Sequence, residues 1–294
     1  MPKVTAIIPT YNWSSVLPFS IGSALNQTFS DFELLVIGDG CTDDSGEVVE
    51  RFAREDSRVR WINLEQNVGN QYGPNNEGLR VARGEFIAHL GHDDLWMPRH
   101  LERLVAQMEN GADLTHSMCQ WILSDDSTAY WWPIQQLVTP AAVMYRKSVT
   151  EKIGFWRDYR ELVIAPDEDF FARIRGAGFR EEFSPHLGVL KFPATTRKNV
   201  YKDKPCHEQK AYFERMTSES DFETEQLRRM VVSSNAEINH WRTQCLERVP
   251  VRFKKMILHE IPAALAQKLK KTPQNQDSVG ARVKKWREFK GLDS

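Results

Sequence analysis

Apolar residues in the first hundred positions fall into short blocks separated by polar, helical stretches. The segments "VTAIIP" (4–9), "FELLVIGD" (32–39), "VRWINL" (59–64) and "EFIAHLG" (85–91) are rich in β-branched or aromatic residues and bounded by turn formers. Each predicts a strand. Helical patterns lie between them, around Val16–Leu25, Glu47–Arg54 and Asn76–Ala82. The segment "MPRHLERLVAQM" then carries Leu101, Leu104, Val105 and Met108 at i, i+3, i+4 and i+7, with Pro98 suited to the first turn. Strand–helix alternation of this kind predicts a mostly parallel sheet covered by helices on both faces.

The rhythm changes near Ala112. "DLTHSMCQWIL", "AAVMYR" and "HLGVLKFP" read as strands without a regular helix between each. "PDEDFFARIRGAG" reads as a helix, with Pro166 and three acids in its first turn and Gly178 as its stop. Beyond about Lys204 the pattern is helical and polar over Glu208–Met216, Glu223–Arg248 and Arg252–Lys271, and a final helical stretch follows a "TPQNQDSVG" linker. The chain divides on this reading into an α/β unit, residues 1–204, and a helical, basic extension, residues 205–294.

Charge sharpens that division. The 294 residues carry a formal net charge of −1, yet residues 251–294 hold eleven Lys and Arg against four acids. That segment is near +7 and the remainder near −8. Such a tail suits a partner subunit, an anionic membrane surface, or a plain solvated helix face. The four cysteines, Cys41, Cys119, Cys206 and Cys245, form no C-x-x-C pair, which argues against a zinc site and for a reducing compartment. No run of about 18 apolar residues occurs, and the first twelve residues are too short an apolar stretch for a signal peptide. The expected location is cytoplasmic, either free or at the inner face of a membrane. Nothing points to nucleic acid.

Four strands end in polar residues, and in open α/β sheets ligands bind beyond the carboxyl ends of the strands. The ends are "PTYN" (9–12), "GDGCTDD" (38–44), "EQNVGN" (65–70) and "GHDD" (91–94). "GDGCTD" begins like a dinucleotide fingerprint, but its third glycine position is Asp43 and it follows the second strand rather than the first. The adjacent carboxylates Asp93 and Asp94 repel one another and need partners. On an extended segment they would point to opposite sides. His92, His116 and His207 lie on different elements without metal-ligand spacing. Trp131 and Trp132 suit either an acceptor platform or apolar packing.

The ordered series "AIIPTYN", "ALNQTFSDFELLVIGDGCTDDS", "NVGN", "NNEGLRVARGEFIAHLGHDDLW" and "PDEDFFARIRGAGF" resembles the nucleotide-sugar domain of the family 2 glycosyltransferases, over roughly residues 3–200. The resemblance implies a GT-A fold and inverting transfer from a nucleotide sugar to a glycan or lipid-linked acceptor in surface glycan assembly. It implies a nucleotide pocket lined by Pro9, Thr10, Tyr11 and Asn12, with Pro9 and Tyr11 against the base. Asp39 would accept from the base or ribose, Asp93 would hold the ribose, and Asp94 would reach a Mn²⁺ or Mg²⁺ ion on the diphosphate. Asn75 stands in the donor region where many members carry arginine, and Gly91 where they carry a further aspartate. Arg197 or Lys198 would replace the missing cation. Asp167 and Asp169 are the candidate bases. The family's spacing, six residues before Arg173 and eleven before Gly178, is met by Asp167 alone. Two other readings stand beside this one: a nucleotide-sugar-binding protein impaired in catalysis, and a nucleotidyltransferase of similar topology, which would show a Gly-rich basic loop after the first strand.

Overall fold

The computed structural model describes residues 1–124, 128–131 and 139–233. Its first half is a regular strand–helix alternation: β1 (Val4–Thr10), α1 (Leu17–Leu25), β2 (Phe32–Gly38), α2 (Ser45–Glu55), β3 (Val59–Asn63), α3 (Tyr72–Val81) and β4 (Phe86–His89). These four strands run parallel in the order β3-β2-β1-β4. Each falls where the apolar blocks predict one. Every residue of β2 is buried, and side chains of alternating parity enter different cores. Leu34 and Val36 join Val4, Ala6 and Ile8 against α1 and α2, whereas Leu35 and Ile37 join Ile7 and Ile87 against α3. A strand buried on both faces is apolar almost throughout, which is why β2 reads as a near-continuous run; its one charge, Glu33, is ion-paired with Arg83 at 2.7 Å.

The second half comprises β5 (Leu95–Trp96), α4 (His100–Glu109), β6 (Leu114–Ile122), β7 (Thr128–Trp131), β8 (Val143–Arg146), α5 (Val149–Ile153), α6 (Pro166–Gly176), β9 (Glu181–Lys191), α7 (Val200–Asp203) and α8 (His207–Ser218). It extends the sheet to β3-β2-β1-β4-β8-β6-β9-β5, with β7 beside β6. The first four strands are parallel as expected, and the second half makes the whole sheet mixed. β8 enters antiparallel to both β4 and β6, β5 is antiparallel to β9, and β6 runs parallel to β9. The sheet is mixed because these strands lack the regular crossover helices that parallel neighbours need. Pro98 also lies outside the first turn of α4, which begins at His100.

The segment after residue 204 is not set apart from the sheet where it is described. Tyr212 and Met216 of α8, with Phe222 and Met230 of the helical residues 222–233, share a core with Leu95, Ile122, Leu187, Leu190 and Phe192. The basic tail, Cys245 and Trp132 lie outside the described residues. No helix among the described residues is long and apolar enough to cross a membrane.

Candidate active site

Strand order reverses at β1, whose neighbours β2 and β4 lead away in opposite directions. A cavity of about 400 Å³ opens beyond the carboxyl ends of these strands, the place where open α/β sheets bind ligands. Its wall includes Pro9, Thr10 and Tyr11 after β1, Asp39 after β2, Gly69–Gln71 and Pro74 around the start of α3, and Gly91–Asp94 after β4. The far side is built by Trp121, Lys191–Thr195 and Tyr201.

Asp39 is 4% exposed and is anchored by backbone. Its Oδ1 accepts from the Val68 N–H at 2.9 Å and its Oδ2 from the Gly69 N–H at 3.0 Å. This fixes the β3–α3 loop against the cavity. Thr10 Oγ1 pairs with His92 Nδ1 at 3.0 Å, and the His92 ring stands edge-on to Trp13 at 5.2 Å. Burial holds the His92 pKa below its ordinary value, against the pull of Asp93.

Asp93 and Asp94 do not lie on an extended segment. The Asp94 N–H closes a turn onto the Gly91 carbonyl at 3.1 Å, and both carboxylates reach the same cavity. Asp94 is 1% exposed. Its Oδ2 meets Lys191 Nζ at 3.0 Å and its Oδ1 accepts from the Phe192 N–H at 3.2 Å. Strand register explains the pairing. β5 and β9 are antiparallel with Leu95 opposite Leu190, so the next residues along, Asp94 and Lys191, face one another. Burial opposes the Lys191 charge, but Asp94 and Asp93 outweigh it and raise that pKa above the lysine range. Gly91 leaves room for the two carboxylates. A Cβ there would sit 2.7 Å from Asp94 Oδ2 and 3.2 Å from Asp93 Oδ1.

Asp167 and Asp169 open α6 but have different surroundings. Asp169 is 7% exposed and ion-paired with Arg173 at 2.8 Å and Arg157 at 3.4 Å. Asp167 is half-buried, and desolvation raises its pKa above the ordinary value while the Lys191 charge bears on it from the cavity.

Three expected donor-site residues are placed elsewhere. Arg197 is committed to Glu208 through Nε at 2.7 Å and Nη2 at 2.6 Å, and to the carbonyls of Pro193 and Ile122. It does not line the cavity. Asn12 takes a left-handed φ of 46° and uses its carboxamide on Thr42 and Asp43, tying the first loop to the second. Asn75 is fully buried in α3, and its carboxamide has no hydrogen-bond partner among the described residues. The cavity's basic residue is instead Lys191, joined by Trp121 and Tyr201. Its one signal in the sequence is a charge closing the apolar run "HLGVLK".

A divalent cation such as Mn²⁺ or Mg²⁺ requires hard oxygen donors. No group of three or more His, Cys, Asp or Glu among the described residues could enclose one. Asp93 and Asp94 fit the other kind of site, in which one or two carboxylates share the ion with substrate phosphates and water.

Comparison with known proteins gives the same fold. TarS 1–349 of S. aureus in complex with UDP-GlcNAc superposes with a TM-score of 0.58 at 18% identity, over 86% of this chain and 77% of that one. The mannosyltransferase PcManGT of Pyrobaculum calidifontis, in complex with GDP-Man and Mn²⁺, gives 0.56 at 15% identity over 99% and 84%. Both have the GT-A fold. By sequence, the chain is 27% identical to the glycosyltransferase GlyG of Streptococcus pneumoniae over 55% of this chain and 54% of the relative. It is 38% identical to TarP of Staphylococcus aureus, a poly(ribitol-phosphate) β-N-acetylglucosaminyltransferase, over 39% and 36%. It thus spans about half or less of the length of these two curated relatives. The family model "Glycosyl transferase family 2" matches residues 5–172. That match covers more than half of the chain, which therefore belongs to glycosyl transferase family 2.

Proposed function

We propose that the protein transfers a sugar from a nucleotide-sugar donor to an acceptor hydroxyl, inverting the anomeric centre, in the assembly of a surface glycan or polysaccharide. The observation that carries this reading is the cavity at the switch point of the sheet, where Pro9, Tyr11, Asp39, Asp93 and Asp94 converge. Relatives that act on poly(ribitol-phosphate) or on an undecaprenol-linked glycan support a glycan or lipid-linked acceptor. Neighbours that bind UDP-GlcNAc, or GDP-Man with Mn²⁺, support the donor class.

In this reading Pro9 and Tyr11 pack on the base, Asp39 accepts from the base or ribose, and Asp93 accepts from the ribose. Asp94 would hold a Mn²⁺ or Mg²⁺ ion, which when bound neutralises charge on the leaving diphosphate. Asp167 takes the acceptor proton as the acceptor oxygen bonds to the anomeric carbon. The glycosidic electron pair leaves on the diphosphate oxygen of the donor. A carboxyl whose pKa is raised by desolvation, as that of Asp167 is, holds that proton better than a solvated one. Asp169 serves α6 through its ion pair rather than the reaction. We place the reaction in the cytoplasm, with the basic tail contacting a partner subunit or an anionic membrane surface.

The test is nucleotide release from a panel of UDP- and GDP-sugars, with and without Mn²⁺. Release that requires the metal and is lost in Asp94→Ala is the expected outcome. Nucleotide binding without release for any donor would instead indicate a binding protein that has lost catalysis.

A further inference from the structure

The cavity contains a charge that the proposed chemistry has not used. Lys191 is the only Lys or Arg among the described residues of its wall. It reaches Asp94 at 3.0 Å from the end of β9, and its side chain remains 26% exposed while that of Asp94 is 1% exposed. A residue serving only to neutralise a buried carboxylate has no need of that open side. The lysine stem has four carbons and its ammonium three donors, so the head can swing while the backbone stays fixed in the sheet.

Charge counting gives the swing a direction. Asp93, Asp94 and Lys191 together carry −1. A donor diphosphate adds about two negative charges, and a divalent cation adds +2, so that cation and Lys191 together nearly balance four negative charges. Asp94 cannot give the same oxygen fully to both positive partners.

We propose that Lys191 is the resident counter-ion of the donor site: it occupies Asp94 until a divalent cation takes that carboxylate, and its ammonium then turns to the donor's phosphate oxygens. Lys191 is thus a donor-binding residue, and Gly91 keeps clear the space in which the exchange occurs. The inference rests on the reading that Asp94 faces the donor diphosphate.

The experiment uses the full chain as native protein and as Lys191→Met, Lys191→Arg, Asp94→Asn and the double variant Asp94→Asn/Lys191→Met. Mn²⁺ affinity is measured without nucleotide, by electron paramagnetic resonance of the free ion. UDP and GDP affinities are measured by calorimetry in saturating Mn²⁺. Lys191→Met should bind Mn²⁺ about tenfold more tightly, because the competing ammonium is gone, and should bind the preferred nucleotide about tenfold or more weakly, the scale of a lost charge-assisted hydrogen bond. Lys191→Arg should recover most of the nucleotide affinity. Unchanged Mn²⁺ affinity in Lys191→Met, with a native circular dichroism spectrum, would overturn the proposal, as would loss of both affinities in parallel. If Lys191→Met does not fold, the double variant, which removes both charges, decides. Its nucleotide affinity should fall about tenfold below that of Asp94→Asn, and equality would sink the idea. The Mn²⁺ measurement needs no nucleotide. Should native protein bind neither UDP nor GDP, the donor reading fails while the competition at Asp94 is still decided.

Discussion

Two aspartates two positions apart in one helical turn carry different burdens, and their surroundings separate them. Asp169 is paired with Arg173 and Arg157, whereas Asp167 is half-buried and feels Lys191. Asp167→Asn should therefore keep donor affinity and fold while lowering turnover by about 10²–10⁴-fold, the usual contribution of a general base. Asp169→Asn should cost about 1–3 kcal/mol of stability, because the half-buried guanidinium of Arg173 loses a charged acceptor, with a smaller effect on turnover. Urea melts and turnover measured side by side separate the two. A dead Asp169→Asn with an active Asp167→Asn would reverse the assignment. The sequence already set the two apart, since spacing to Arg173 and Gly178 singles out Asp167 as the base we propose. Arg197 was not. Its guanidinium is bound by Glu208, eleven residues on, and "TTRKNVY" contains nothing that announces that partner.

At the scale of elements, what could be read depended on how local the cause was. β1, β2 and β4 were legible because burial on both faces makes each a near-continuous apolar run between turns, and β3 because its β-branched and aromatic residues sit between turn formers. The antiparallel entry of β8 and the two-residue β5 were not, since short strands are held by partners far away in sequence. Lys191 was missed for the same reason, because only the register of β5 on β9 sets it opposite Asp94. That register separates two otherwise similar substitutions. Leu104 in α4 and Leu190 in β9 are both fully buried. Replacing either by alanine should cost about 2–5 kcal/mol. Leu190→Ala should also weaken nucleotide binding, because it loosens the strand that presents Lys191. Leu104→Ala should leave it unchanged, and calorimetry on both variants checks the contrast. Equal nucleotide affinity in the two would mean that β9 packing does not position the site.

Across the whole molecule, buried histidines govern how the fold responds to acid. His89, His100 and His186 are all buried, and the rings of His100 and His186 are neighbours 5.8 Å apart. Burial lowers the His89 pKa to about 3 and the His186 pKa to about 4, and holds His100 well below its ordinary value. In the unfolded chain each takes up a proton near pH 6.5. Below that pH the unfolded state binds more protons than the folded one, so the stability these residues confer is present above about 6.5 and lost as pH falls towards their folded values. The melting temperature should decline from about pH 6.5 downwards, before carboxylates titrate. A melting temperature that stays flat between pH 6.5 and 5 would show that these rings are not held neutral.

Chain order also has a consequence for synthesis. Asp94 meets Lys191 across 97 residues, and the Asp93 carbonyl accepts from Gln209 of α8 across 116. At about 5–20 residues per second a ribosome needs about 5–20 s to cover the first of these intervals. Throughout that time β1 to β4 can collapse around their own helices while Asp94 has left the ribosome without its ammonium. A nascent chain therefore acquires its sheet well before it acquires a balanced ligand site. Nucleotide added during translation should not hasten folding of the first half, and can act only on chains already extended past α8.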